Sequence, residues 1–100
     1  MPLLDFTALA AQLPDTWKST RLGQVGPARI KVLRMDAQAY AEETHDYNEG
    51  LLVIDGHLRL SIGEQAVDVG AGAGQMYLVE AGIAHAVLAG SHGTLVIIDV

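Results

Sequence analysis

From Trp17 onward the chain runs in short alternating apolar and polar segments, each cut off after a few residues by glycine. This pattern constrains the fold most. Period-two alternation puts one set of side chains on one face of a strand, and frequent glycines end each run before a helix could establish itself. About eight such runs fit after residue 16, the spacing of an all-β sandwich or barrel. The start differs: in "DFTALAAQLP" the residues Phe6, Leu9, Ala10 and Leu13 fall at i, i+3, i+4 and i+7, Asp5 can cap the first turn, and Pro14 forbids much continuation. One domain is expected over residues 1–100, with a helical segment at 1–15 and a β-barrel over 16–100.

Within the β region, "LLVIDGHLRLSI" reads as a hairpin, because Asp55 and Gly56 supply the positive φ values of a type I′ turn; residues 51–54 should pair with 57–60. Gly63 in "SIGEQAVDV" can open a second, type II′ turn. Ile30 and Val32 alternate with Arg29, Lys31 and, after a phase slip, Arg34, which predicts one wet face and a bulge at the slip. The glycines of "VDVGAGAGQMYLV" read as loop followed by a strand at "QMYLV". They do not make a phosphate loop: "GAGAGQ" lacks the closing Lys and Ser/Thr and has no helix after it. "AGSHGT" is another loop before the last run.

Half of the residues are hydrophobic and the mean hydropathy is +0.26, ample for a core. Six Lys and Arg against twelve Asp and Glu leave a net charge of −6, which repels nucleic acid and anionic membrane surfaces. With no cysteine, disulfides, thiolate metal sites and cysteine nucleophiles are excluded. No apolar run approaches the ~20 residues of a membrane span, and the start lacks the basic region and apolar core of a signal peptide, so a cytoplasmic location is expected.

The chemistry concentrates in "ETHDYNEGLLVIDGHLRL", residues 43–60, where a histidine and carboxylates lead into a very apolar run. Glu43 and His45 share a face if that stretch is extended. Glu49 would lie about 13 Å farther along a straight strand at roughly 3.3 Å per residue, so only a chain reversal, for which residues 46–48 are suited, brings it to the same ion. His85 in "EAGIAHAVLAG" is flanked by apolar residues, where it needs a partner. Taken singly, each has a structural reading: Glu43 as a solvated strand-end acid, Glu49 as a partner for Arg59, His85 as a core histidine. His57 and His92 read as surface residues, and Tyr40, Tyr47 and Tyr77 receive no role.

The spacing of His45, Glu49 and Gly56 resembles the first motif of the cupin superfamily, and Gly74, Gly82 and His85 resemble its second. The departures are Glu43 for the first motif histidine, Ala37 for its opening glycine, Glu80 for the proline of the second motif and Ala89 for its asparagine. The resemblance implies a double-stranded β-helix, or jelly-roll-like barrel, holding one divalent transition metal (Fe, Mn, Zn or Ni) at Glu43, His45, Glu49 and His85. Two carboxylates and two neutral histidines leave a divalent ion without net charge, which favours redox or chelated-substrate chemistry over metal-hydroxide hydrolysis.

The expected function is that of a metal-dependent oxygenase or isomerase acting on a small polar molecule, with Glu43 or Glu49 available as a base. The rivals are a non-enzymatic module that binds a small ligand or metal, and a metal-free dimeric scaffold with its barrel filled by side chains such as Met35, Leu52 and Met76. A homodimer is expected in each case.

Overall fold

The computed structural model describes residues 3–63 and 67–100. Helix α1 (Phe6–Ala11) starts where Asp5 accepts a hydrogen bond from the Ala8 amide at 3.1 Å, and it stops before Pro14. Eight strands follow: β1 (Thr20–Val25), β2 (Ala28–Asp36), β3 (Tyr40–Glu43), β4 (Glu49–Ile62), β5 (Val67–Gly72), β6 (Met76–Val79), β7 (His85–Val87) and β8 (His92–Asp99). Every pairing is antiparallel. The sheet runs β1-β2-β8-β4-β7-β3, with β5 and β6 both on β4, so the curled sheet is a cupin-like half-barrel.

The expected hairpin at Asp55 and Gly56 does not form: β4 passes straight through both as one 14-residue strand. Gly56 does take a positive φ, +83°, but its partner on β8, Gly93, does so too at +100°. Asp55 then accepts from the Thr94 amide at 3.0 Å, and the register slips between Val53 and Asp55. The turn chemistry is spent on a bulge that bends two long strands together. This lets the first half of β4 pair with β6 and its second half with β5.

The second turn stands differently. Ile62 pairs with Val67 across it and Gly63 has a φ of +74°, while residues 64–66 of the turn lie outside the described residues. The glycine run is not wholly loop either, since Val67–Gly72 forms β5. At Gly70 a Cβ would meet the His57 ring at 3.1 Å, so glycine there makes room for a half-buried imidazole that the sequence reading placed on the surface. His92, exposed as expected, opens β8 and pairs with Asp36 and His57, so its segment is strand where a loop was expected.

The phase slip in β2 is not a bulge, for β2 and β8 stay in continuous register from Arg29 to Asp36. Both faces of β2 are covered. Val32 packs with Ala10 and Val96 beneath α1, while Leu33 and Met35 join Leu51, Val53, Leu58, Leu60 and Leu95 inside the half-barrel. The expected wet face is therefore wrong in both directions. Arg34 Nη1 donates to the Ala10 and Leu13 carbonyls at 3.0 and 2.8 Å, closing the C-terminal end of the helical segment, whereas Lys31 lines the interior cavity. Of the three side chains that would fill the barrel of a metal-free scaffold, only Met35 points into it; Leu52 packs on the α1 side and Met76 is 51% exposed. Among the described residues no helix is long and apolar enough to cross a membrane.

Candidate metal centre

Four elements converge at the mouth of the half-barrel. β3 carries Glu43 directly opposite His85 of β7. Past Glu43 the chain leaves the sheet, bends at Asp46 and Tyr47, and re-enters as β4 at Glu49, which is the reversal that the spacing required. Two contacts pin the bend to the turn before β7: the Gly82 amide donates to the His45 carbonyl at 2.7 Å, and the Ala81 amide donates to Asn48 Oδ1 at 2.9 Å. Gly82 holds a φ of +81°, where glycine is favoured. Ala37, at the motif position that usually carries glycine, sits at +71°, anchored by its amide to the Ser91 carbonyl at 2.7 Å.

The side chains meet accordingly. One ligand atom from each of Glu43, His45 and His85 lies within 4.8 Å of the others. Glu49 straddles the two imidazoles, with Oε2 3.7 Å from His45 Nε2 and Oε1 3.4 Å from His85 Nε2. Glu43 Oε2 lies 3.3 Å from His45 Nε2. Of the four expected ligands, Glu43, His45 and His85 thus form one cluster, and Glu49 touches both imidazoles through different oxygens.

Hydrogen bonding leaves the cluster incomplete. His85 Nδ1 lies 3.1 Å from the Ile83 carbonyl, which can only accept, so this nitrogen carries a proton and Nε2 is the ring atom turned to Glu49. His45 Nε2 is buried without a hydrogen-bond partner; its 3.3 Å approach to Glu43 is close but lacks hydrogen-bond alignment. Burial pushes the Glu49 carboxyl above its ordinary value, and the carboxylates of Glu43 and Asp99 add to this, while the imidazoles, where protonated, pull it back.

A divalent ion fits this donor set. Bonds of about 2.1 Å at tetrahedral or octahedral angles put adjacent ligand atoms roughly 3.0 to 3.5 Å apart, close to the observed contacts. Nitrogen and carboxylate donors without sulfur suit several transition metals equally.

The cluster opens into a cavity of about 230 Å³, lined on its far side by Trp17, Lys31, Leu33, Tyr40, Leu95 and Ile97. The Trp17 and Tyr40 rings lie 5.8 Å apart, and Trp17 Nε1 and Thr16 Oγ1 both donate to Asp36, tying the segment after α1 to the end of β2. Those bonds, Thr16's foremost, hold the Asp36 carboxyl below its ordinary value. Tyr47 stacks on His45 with centroids 4.9 Å apart, and burial followed by the Asp99 charge pushes its hydroxyl above the usual range.

Asp99 escaped the sequence reading, which gave Tyr47 no role and Lys31 only a place on a wet strand face. Only Asp99, an acid inside the apolar run "TLVIIDV", carried a visible signal.

A family model described as "Cupin domain" matches residues 32–100. No curated protein matches the sequence. Among solved structures, a cupin-2 domain containing protein from Shewanella frigidimarina superposes with a TM-score of 0.85 at 19% identity, covering 97% of this chain and 93% of that one. A hydroquinone 1,2-dioxygenase from Sphingomonas sp. TTNP3, solved with 4-hydroxybenzoate bound, gives 0.79 at 13% identity over 91% and 69%. Another hydroquinone 1,2-dioxygenase, solved in complex with Cd2+ and 4-hydroxybenzonitrile, gives 0.81 at 18% over 99% and 72%. Identities this low speak for the fold alone.

Proposed function

The chain belongs to the cupin-domain family, and from that premise we propose that it is a metal-dependent oxygenase or isomerase, holding one divalent transition metal at His45, Glu49, His85 and Glu43 and acting on a small molecule in the adjoining cavity. The observation that carries this reading is the convergence of Glu43, His45 and His85 within 4.8 Å, with Glu49 Oε1 3.4 Å from His85 Nε2 and His45 Nε2 buried with no hydrogen bond among the described residues. The similarity in fold to hydroquinone 1,2-dioxygenases, one of them solved with Cd2+, supports it as precedent. An ion held here supplies Lewis acidity, and redox chemistry if it is iron or manganese.

The chain's own residues do the rest. Ile83 and Tyr47 orient His85 and His45 through a carbonyl and a stacked ring. Glu43, its side chain 45% exposed, is placed to pass a proton between the cavity and solvent at Oε2. Trp17 and Tyr40 limit water at the opening. A filled, metal-free scaffold would have no cavity at this position. An apolar groove along Met76, Leu78 and Val100 supports the further reading that the protein works as a homodimer.

The test is metal analysis of protein purified without chelators or a metal-affinity tag. A divalent ion at 100 times its Kd should stabilise the chelator-treated protein by about 2.7 kcal/mol, raising Tm by about 10 °C or more. His45→Ala should lose most of that rise. Less than about a tenth of an equivalent of metal, with none regained on addition, would overturn the reading; the cutoff follows from ligand occupancy being the checkable content of a site.

A further inference from the structure

Lys31 is out of place for a strand residue with nothing to recognise. Alternation along β2 turns it, with Leu33, toward the cavity, and its neighbour across β8 is Ile97. An ammonium on an apolar wall, its side chain 20% exposed, costs desolvation that some partner must offset. Asp99 is the evident partner: Lys31 Nζ lies 2.8 Å from Asp99 Oδ2. Yet Asp99, its side chain 4% exposed, is already matched by Arg29, whose Nε lies 3.2 Å from Oδ1. One carboxylate between two cations leaves a unit of positive charge in excess, and Nζ has two further N–H donors beyond the one given to Asp99. Among the described residues lining the cavity, Lys31 is the only lysine or arginine.

The charge count of the whole site gives the same sign. Glu43, Glu49 and Asp99 supply three negative charges, and Arg29 and Lys31 two positive ones. A divalent ion leaves the site one unit positive, so a ligand with a single negative charge brings it to neutrality. Geometry sets the ligand's span. Lys31 pairs with Ile97 and Ile97 with Leu51, two residues along β4 from Glu49. Two strand spacings and two residues of rise separate the Lys31 and Glu49 backbones by about 10 to 12 Å, an upper bound on the span, because Lys31 Nζ reaches Asp99, which follows Ile98 opposite Gly50 and so lies beside Glu49. Ile97 and Leu51 line the cavity between the two ends, with Leu33 and Leu95 one pair farther from Glu49. The volume of about 230 Å³ is that of about eight waters at roughly 30 Å³ each.

We infer that Lys31 is the specificity-determining residue of this cavity and that the ligand is a small organic monocarboxylate: its carboxylate docks on Lys31 Nζ, its apolar body lies against Leu51 and Ile97, and its other end faces His45, Glu49 and His85. This rests on the metal reading of the preceding subsection. The opposing account gives Lys31 only the task of screening Asp99.

The probes are benzoate and its neutral isostere benzamide, titrated calorimetrically into Zn2+-loaded protein, with Zn2+ itself titrated first into chelator-treated protein. Wild type should bind benzoate at least about tenfold more tightly than benzamide, the scale of one hydrogen bond to a charged group. Lys31→Met should lose that preference while still binding Zn2+, and Lys31→Arg should keep it. Benzamide binding should be the same in all three proteins. Zn2+ binding with no preference for benzoate in wild type overturns the role of Lys31 and leaves the metal centre standing. So does a preference that survives Lys31→Met. Failure to bind Zn2+ overturns the metal reading and this inference together. Should Lys31→Met fail to fold, Lys31→Gln takes its place, with loss of the preference expected and its survival overturning the role of Lys31.

Discussion

At the scale of single residues, Glu49 carries the tension of the site. Only 8% exposed, it begins a strand and faces two imidazole nitrogens with acceptors alone. Because burial raises its pKa in the folded state, the folded protein holds this proton to higher pH than the unfolded chain does. Stability of the metal-free protein therefore falls as pH climbs from the ordinary glutamate range through the raised value, and stays lower above it. Glu49→Gln should remove that slope, raising Tm of chelator-treated protein at neutral pH while weakening metal binding. Thermal melts across pH check this; a variant less stable than wild type at neutral pH, with the slope intact, would show Glu49 to be a structural acceptor. The candidate ligands were legible because His45, Glu49 and His85 keep a spacing tied to their geometry. Lys31 was not, since alternation says which side chains share a face and is silent on which face lies inside.

The strand crossing at Gly56 and Gly93 matters most among the elements. A Cβ on Gly56 would sit 2.0 Å from the His92 carbonyl oxygen, and one on Gly93 would sit 2.2 Å from that of Asp55, each at a positive φ. Backbone cannot move aside as a side chain would. Gly93→Ala should thus cost about 3 kcal/mol or more, combining left-handed strain with a clash. Gly23→Ala, with nothing within 4 Å of the new methyl, should change stability by less than about 0.5 kcal/mol. Denaturant melts of both variants test the pair, and equal effects would count against the crossing as the keystone of the bend. The same place limited the sequence reading. Asp-Gly between apolar runs signals a positive φ correctly, yet whether the chain reverses or bulges depends on Gly93, 37 residues on, which no local pattern contains. The helix was legible because its cap and its apolar face are both local.

For the whole molecule, the apolar groove on the outer face makes the clearest demand. Met76, Leu78 and Val100 are each 51% exposed, and with Ile98 they line a shallow groove of about 170 Å³. A second copy related by a two-fold axis would cover it. Light scattering at micromolar concentration should report a dimer, and Leu78→Asp, at a site too exposed to disturb the core, should give a monomer. A monomeric wild type would sink the expectation. One feature of the sheet reaches beyond the finished fold. β8 lies between β2 and β4 and supplies Leu95 to one core and Val96 to the other. As the chain emerges from a ribosome, β2 and β4 have no partner between them until residues 92–99 appear, and the growing polypeptide carries two unfinished apolar faces. Assembly must wait for those residues, which puts the rate-limiting search among distant contacts, and makes the nascent chain depend on protection from aggregation until β8 is out.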